Sequence, residues 1–187
     1  MPSVFSHAIA AVAVGGVAVA GPARLTIWGL GAVCAVLPDL DVISFYLGLP
    51  YGHVLGHRGF SHSLIFAAGL ASTVAVLVRR TRTPSPSLAR LCAFFFLATA
   101  SHGVLDAMTD GGLGVAFFAP FSDARYFFPW RPIVVSPISI GEIVGPRGLR
   151  VMWSELGWVW LPSAVVFLAG VSKWGAVARH WNREEQP

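Results

Sequence analysis

The sequence predicts an all-α membrane protein, a polytopic bundle of about five helices with a long outer loop or re-entrant segment. Of its 187 residues, 55% are hydrophobic and only 12% are charged, and the mean hydropathy is +0.67. A soluble domain usually carries about 25% charged residues. Apolar runs long enough to cross a bilayer follow one another along the chain, and no repeat or linker divides residues 1–187 into two domains.

The first two helices each contain polar residues that an apolar span rarely carries. The first is predicted over residues 4–20, where His7 is the most polar residue and Gly21-Pro22 ends the run. The second is predicted over residues 24–47 and contains Pro38-Asp39-Leu40-Asp41. A proline inside an apolar helix interrupts it and frees backbone carbonyls near the two carboxylates.

A glycine-rich loop over residues 48–59 separates the second helix from the third and carries His57 and Arg58. The third helix is predicted over residues 60–78. Ser61 is the expected N-cap, because a serine hydroxyl accepts a hydrogen bond from the first free N–H groups of a helix. His62 would then lie in the first turn.

The fourth helix is predicted over residues 88–110, after a basic connector. In a continuous helix His102, Asp106 and Asp110 lie at i, i+4 and i+8 and share one face. An imidazole and two carboxylates in an apolar helix are costly unless a cation lies between them. This face indicates either a divalent metal site, because His and Asp are ordinary zinc or manganese ligands, or a His–Asp pair that fixes helix packing.

Residues 111–155 are rich in glycine, proline and aromatic residues and predict an interfacial lid or re-entrant segment. Arg125 and Arg131 flank an aromatic cluster there. We expect them to anchor the segment at the interface or to gate a lipid-facing entrance. The fifth helix is predicted over residues 156–177, with tryptophans near its start as interface anchors.

The positive-inside tendency assigns the connector that contains Arg79, Arg80 and Arg82 to the cytoplasmic side. Counting spans from there puts the candidate residues in the outer half of the membrane or in outer loops. These residues are His7, Asp39, Asp41, His57, His62, His102, Asp106 and Asp110. Independent structural histidines have no reason to share one side, so the common depth favours a metal site.

Three motifs occur in order: Pro38-Asp39-Leu40-Asp41, His57-Arg-Gly-Phe-Ser61-His62-Ser and His102-x-x-x-Asp106. In them the chain resembles the LexA-regulated, membrane-bound, predicted metal-dependent hydrolases (YdjM-like proteins), which are small polytopic bacterial proteins. Ser61 stands where that family usually has threonine. The resemblance spans about residues 5–140. It implies a hydrolase of the bacterial inner membrane with a role in the SOS response.

That family has been linked to zinc-dependent phospholipase C and single-strand nuclease enzymes. Carried over in order, the resemblance implies metal ligands at His7, Asp39, His57, His62, His102 and Asp106. The chain has no clear counterpart of the later HxxxE-type pair of those enzymes, which favours one or two ions over three. Zinc is the expected metal, with manganese as the alternative.

Metal-assisted hydrolysis of a phosphoester, in a lipid or a small molecule, is the function that these residues favour. We expect Asp41 or Asp110 to orient a ligand histidine or to act as the general base. Arg58 is expected to bind a phosphate through its guanidinium fork or, alternatively, to pair with lipid head groups from an exposed loop.

Two other classes of function stay open. A transporter or channel would use the same histidines and aspartates to relay protons or to bind ions. A non-catalytic membrane stress protein would hold a structural metal. Membrane lipid is the expected partner, and the scattered basic residues give no nucleic-acid-binding patch. Gly59-Phe-Ser61-His-Ser63 lacks the second glycine of GxSxG, which argues against a serine hydrolase.

Overall fold

A computed structural model describes residues 1–21, 23–81, 85–137 and 145–184 of the chain. Within these ranges the protein is helical and contains no strand, which confirms the all-α prediction. Four helical stretches are long and apolar enough to cross a membrane: Arg24–Tyr46, Leu64–Thr81, Leu88–Ala107 and Pro146–Ala176. A shorter apolar helix, Val4–Ala18, completes the bundle.

The helices, in chain order, are α1 Val4–Ala18, α2 Arg24–Val36, α3 Ile43–Tyr46, α4 Leu64–Thr81, α5 Leu88–Ala107, α6 Pro146–Glu155 and α7 Leu161–Glu184. One 3₁₀ helix, Leu37–Val42, joins α2 to α3, and another covers Phe60–His62. A π-helix over Leu156–Trp160 joins α6 to α7 without a break.

The interruption predicted at Pro38 is present and places two carboxylates. Proline has no N–H to donate to the preceding turn, and the chain tightens there into the 3₁₀ helix Leu37–Val42. Asp39 lies on its buried side, only 6% exposed. Asp41 faces the loop that leads to α4. The change from α to 3₁₀ helix at the proline thus places two carboxylates at the end of an apolar span.

The start of α4 differs from the prediction by a few residues. The helix begins at Leu64, and Ser63, rather than Ser61, caps it, because Ser63 Oγ accepts a hydrogen bond from the Phe66 N–H at 3.1 Å. His62 therefore lies in the preceding 3₁₀ turn and not in the first turn of α4. Ser61 is left free to bond elsewhere.

The end of α5 also differs from the prediction. The helix stops at Ala107, so Asp110 lies outside it and does not share a helical face with His102 and Asp106. The Asp110 N–H instead donates to the carbonyl oxygen of Ile133 at 3.0 Å, and Thr109 forms an isolated bridge with the same residue. Pairing with a distant segment replaces the last helical turn that periodicity predicts.

The segment after α5 is irregular through residue 137, as expected of a stretch that does not span the membrane. Residues 138–144 of the predicted segment lie outside the described residues. Its last part, Pro146–Glu155, is helical and continuous with the final span, so the prediction that the fifth helix starts at residue 156 is wrong. The π-helix carries the chain through this point without ending the helical run.

Arg125, in this irregular segment, binds backbone carbonyl oxygens of the glycine-rich loop. Its guanidinium donates to the carbonyl oxygens of His57 (3.0 Å) and Tyr51 (3.1 Å), and also to that of His53 (3.2 Å). Arg131 lies over the ring of Phe127, 4.7 Å from its centroid. Arg125 therefore fixes the glycine-rich loop against the segment that follows α5.

Helix α1 lies at the centre of the bundle and packs against α2, α5 and α7. Small residues permit a close approach between Gly16 of α1 and Gly170 of α7. A Cβ atom on Gly170 would lie 2.6 Å from the carbonyl oxygen of Gly16, and backbone atoms there have no room to move aside. This contact holds the last helix against the first.

We expect Gly170→Ala to destabilise the protein by about 1–3 kcal/mol, because the added methyl group forces α1 and α7 apart. Unfolding of the purified protein in mixed detergent and denaturant micelles measures the change. Gly69→Ala is the matched control, because nothing lies within 4 Å of a Cβ there. Equal stability of the two variants would contradict the proposed packing.

Candidate metal centre

Four buried side chains from three parts of the chain meet at one end of the bundle. They are Asp39, His62, His102 and Asp106, and one nitrogen or oxygen from each lies within 4.8 Å of the others. Asp39 comes from the 3₁₀ helix after α2 and His62 from the turn before α4, while α5 provides the other two. The structure therefore brings together four of the six predicted metal ligands.

The distances among these atoms suit a single shared ion. His62 Nε2 lies 2.9 Å from His102 Nε2 and 3.3 Å from Asp106 Oδ2. His102 Nε2 lies 3.3 Å from Asp39 Oδ1. Ligands at about 2.0–2.1 Å from a tetrahedral zinc ion are separated from each other by roughly 3.3 Å. The residues present thus fit a zinc-sized ion at their centre.

Hydrogen bonds outside the cluster fix which nitrogen of each ligand histidine is free. His102 Nδ1 donates to the carbonyl oxygen of Ala35 at 2.7 Å, and His62 Nδ1 faces Asp41 Oδ2 at 3.1 Å. A carbonyl and a carboxylate only accept, so both Nδ1 atoms carry the proton. Two neutral rings would then present two lone pairs to each other at 2.9 Å, a contact that either a proton on one Nε2 atom or a metal ion beside both would make favourable.

The pKa of His62 also indicates that the cluster favours a positive charge at this position. Although burial alone lowers the pKa of this imidazole, its close contacts with the carboxylates of Asp106 (3.3 Å) and Asp41 (3.1 Å) raise the pKa to about 9. A cluster with no metal would therefore hold a proton on His62 at neutral pH. A metal ion would replace that proton, so binding is coupled to proton release.

Several buried polar atoms of residues at or beside the cluster have no hydrogen-bond partner in the described part of the chain. Among them are both oxygens of Asp39, both oxygens of Asp106 and both ring nitrogens of His7. A buried polar group without a partner costs about 1–3 kcal/mol, and more when it is charged. A bound cation removes that cost, since each of these atoms except a protonated nitrogen is an electron-pair donor.

Asp41 connects the cluster to the HRGFSHS loop. Its carboxylate lies 2.6 Å from His57 Nδ1 and accepts hydrogen bonds from Ser61 Oγ (2.6 Å) and from the Arg58 N–H (3.1 Å). Of the two roles expected for Asp41, these contacts favour orienting a ligand histidine. His57, a predicted ligand, is not among the four central residues. It belongs with Asp41 and His62 to a second group of side chains that are close enough to hold a metal ion.

Arg58 is fully buried, which overturns the expectation of an exposed loop charge. Its Nε lies 3.0 Å from Asp106 Oδ2, and its two terminal nitrogens donate to the carbonyl oxygen of Gly111 (2.9 Å) and to Thr109 Oγ1 (3.0 Å). These contacts occupy the fork that a phosphate would need. Arg58 instead positions Asp106, and it does so from a left-handed backbone conformation with φ 59°.

Asp110, the other predicted catalytic aspartate, is exposed and lies apart from the cluster. Its Oδ1 accepts a hydrogen bond from the Val135 N–H at 2.8 Å. This contact fastens the irregular segment to the end of α5. The structure therefore gives Asp110 a place in the fold, and of the two candidate bases only Asp41 contacts a member of the cluster.

Sequence reasoning missed Glu155, which lies beside the start of α1. Glu155 is fully buried and accepts hydrogen bonds from the side chains of Ser3 (2.5 Å) and Ser6 (2.7 Å), directly before His7. Glu155 had a signal, because it is an acidic residue next to an apolar span, but nothing in the sequence pairs it with serines at the start of α1.

These features define a class: a polytopic helical membrane protein with a buried His/Asp group that could hold a metal ion. The chain belongs to the YdjM inner membrane protein family, whose model matches residues 1–181. It is 41% identical over 177 residues to the inner membrane protein YbcI of Escherichia coli (strain K12), covering 93% of this chain and 98% of that protein. No solved structure matches the chain. The family and the apolar helices support a location in the bacterial inner membrane.

We expect Asp41→Asn to weaken zinc binding by about 10–100-fold, because the partner that orients His62 loses its charge. Titration of the metal-free protein against a chromogenic zinc chelator measures the affinity. Asp123→Asn, which changes an exposed carboxylate, is the matched control. An unchanged affinity in Asp41→Asn would contradict the orienting role.

Proposed function

We propose that the protein is a metal-dependent hydrolase of the membrane that cleaves a phosphoester, with a membrane lipid as substrate. Asp39, His62, His102 and Asp106 would hold a divalent ion, zinc in the first place and manganese as the alternative. One observation carries this proposal: four buried side chains from three separate elements bring unpartnered or lone-pair atoms to one point. A purely structural His–Asp pair has no need of that convergence.

A divalent ion at this point supplies Lewis-acid activation of water and of a phosphoryl oxygen. The residues of the chain prepare the site for it. Asp39 and Asp106 supply negative charge, while Ala35 and Asp41 hold the Nδ1 protons of His102 and His62. Arg58 keeps Asp106 turned toward the histidines. Burial of all four central residues excludes bulk water, which strengthens each electrostatic interaction.

A groove beside the cluster supports a lipid substrate. It has a volume of about 370 Å³ and is lined mainly by apolar side chains, with Asp41 and Ser61 as its polar members. Both of these polar residues contact His62 Nδ1, at 3.1 Å and 3.0 Å. We propose that one acyl chain lies in this groove while the phosphoester head group reaches the metal centre.

The charge pattern supports an extracytoplasmic location of the centre. Arg79 and Arg80 lie in the last turn of α4, whereas His62 immediately precedes the first turn of that helix. His102 and Asp106 lie near the end of α5, away from the basic connector that begins it. If the connector is cytoplasmic by the positive-inside tendency, the cluster faces the outside.

The distribution of buried polar groups favours hydrolysis over transport. Within the described ranges, the buried charged and histidine side chains all belong to the one end of the bundle that holds the cluster. A proton or ion path would need further polar groups along the remaining depth. LexA-dependent expression in the SOS response and distant kinship with zinc-dependent phospholipase C belong to the same proposal, and the three sequence motifs alone support them.

We expect His102→Ala and Asp106→Ala each to lower phosphodiesterase turnover by on the order of 100-fold or more. Removing a residue that only supports a metal ligand typically costs about 10–100-fold in metal affinity or activity, and removing the ligand itself should cost more. Purified protein in mixed micelles of detergent and phosphatidylethanolamine is assayed for release of phosphorylated head group. Chelation should abolish turnover, and added zinc or manganese should restore it.

His53→Ala is the matched control for these variants, because His53 is exposed and its ring accepts a hydrogen bond only from the nearby Leu55 N–H among the described contacts. Stoichiometric metal without turnover on any phosphoester would overturn the hydrolase proposal and support a structural metal. Turnover that survives in both ligand variants would overturn the proposed centre.

We expect Leu55→Trp to lower turnover of long-chain phosphatidylethanolamine about tenfold, equivalent to about 1.4 kcal/mol, because the indole would fill the groove. Turnover of bis(p-nitrophenyl) phosphate, a soluble diester without acyl chains, should stay unchanged. Leu47→Trp is the control, because Leu47 is equally apolar and exposed but does not line the groove. Equal losses on both substrates would contradict an acyl-chain groove.

A further inference from the structure

His7 is a buried polar residue whose burial the single-ion centre does not explain. Its side chain is fully buried in α1, and neither of its ring nitrogens has a hydrogen-bond partner. The ring stacks on that of His102, with centroids 3.7 Å apart and planes inclined by 20°. Stacking satisfies the ring faces and leaves both nitrogens unpaired, at a cost of about 1–3 kcal/mol for each buried polar group.

The two central carboxylates divide their oxygens between two sets of histidines. Asp39 Oδ1 lies 3.3 Å from His102 Nε2, while its Oδ2 lies 4.0 Å from His7 Nε2. Asp106 Oδ2 lies 3.3 Å from His62 Nε2, while its Oδ1 lies 3.7 Å from His7 Nε2. The oxygens that the first ion does not use are the ones that face His7.

From this division we infer that the centre binds two divalent cations. The second cation would be held by His7 Nε2, Asp39 Oδ2 and Asp106 Oδ1, so that each carboxylate bridges the pair. Carboxylates that bridge two ions about 3.5–4 Å apart are typical of two-metal phosphoesterase sites. The inference deepens the proposed function and rests on the metal centre proposed there, since both ions share Asp39 and Asp106.

Two other positive groups approach Asp106, but neither pairs with the remaining atoms of the proposed second cation site. Arg58 Nε lies 3.0 Å from Oδ2, and the Met1 nitrogen lies 4.0 Å from Oδ1. Asp39 Oδ2 and both nitrogens of His7 keep no hydrogen-bond partner despite them. A cation at the second position would satisfy these three residues together.

The charge of a two-ion centre also specifies the kind of substrate. Two divalent cations carry four positive charges, and the bridging carboxylates Asp39 and Asp106 supply two negative ones. Buried uncompensated charge is strongly unfavourable in a low-dielectric setting. The centre would therefore favour an anionic ligand that contacts both ions, and a phosphodiester or phosphomonoester has the required charge and two free oxygens.

Metal stoichiometry tests the inference directly. The full chain is purified in detergent, stripped of metal and titrated with Mn²⁺, and bound manganese is followed by electron paramagnetic resonance and by elemental analysis. We expect two Mn²⁺ ions per chain, with the multiline spectrum of a spin-coupled pair. We expect His7→Ala to bind one ion and to show the six-line spectrum of an isolated Mn²⁺.

His7→Gln serves as a second variant if the alanine variant does not fold, because glutamine keeps volume and polarity but is a poor ligand for these ions. His53→Ala is the matched control and should still bind two ions. One ion in the wild-type protein, or two ions in both His7 variants, would overturn the inference. Two ions without phosphoester turnover would overturn the hydrolase proposal and leave the inference standing.

Discussion

The buried carboxylates of Asp39 and Asp106 impose the constraint on which the arrangement of the bundle depends. Both side chains lie in the apolar interior, where an uncompensated negative charge is strongly unfavourable. Three histidines from three separate elements, His7, His62 and His102, turn toward them. The packing of α1, α2 and α5 around the cluster follows from this, because each helix contributes part of the polar surroundings that the others require.

Hydrogen bonds and ion pairs also fix the residues that surround the cluster. Asp41 joins His57, Ser61 and His62, while Arg58 joins Asp106 to the tail after α5. Three residues of the HRGFSHS motif therefore have different structural roles within one short loop. His62 faces the centre, Arg58 turns back through a left-handed backbone conformation, and Ser61 bonds to the carboxylate that orients His62.

Much of this structure could be predicted from the sequence, for identifiable reasons. Apolar runs and a proline before Asp39 are local signals, so the spans and the interruption at Pro38 could be predicted. The spacing of His102 and Asp106 placed them on one helical face. The placements of Asp110 and Arg58 depended on pairing with Ile133, Thr109 and Gly111, contacts between distant segments that periodicity does not encode.

The hydrogen bonds between α1 and the helical residues that precede α7 have a consequence for when the polar interior is completed. Glu155 accepts from Ser6, and Trp160 donates to the same Ser6 Oγ at 2.7 Å, so the neighbour of His7 is secured by residues made near the end of translation. Before those residues are synthesised, Ser6 lacks both of these partners. The polar contacts of Ser6 are therefore complete only when residues 155 and 160 pack against α1.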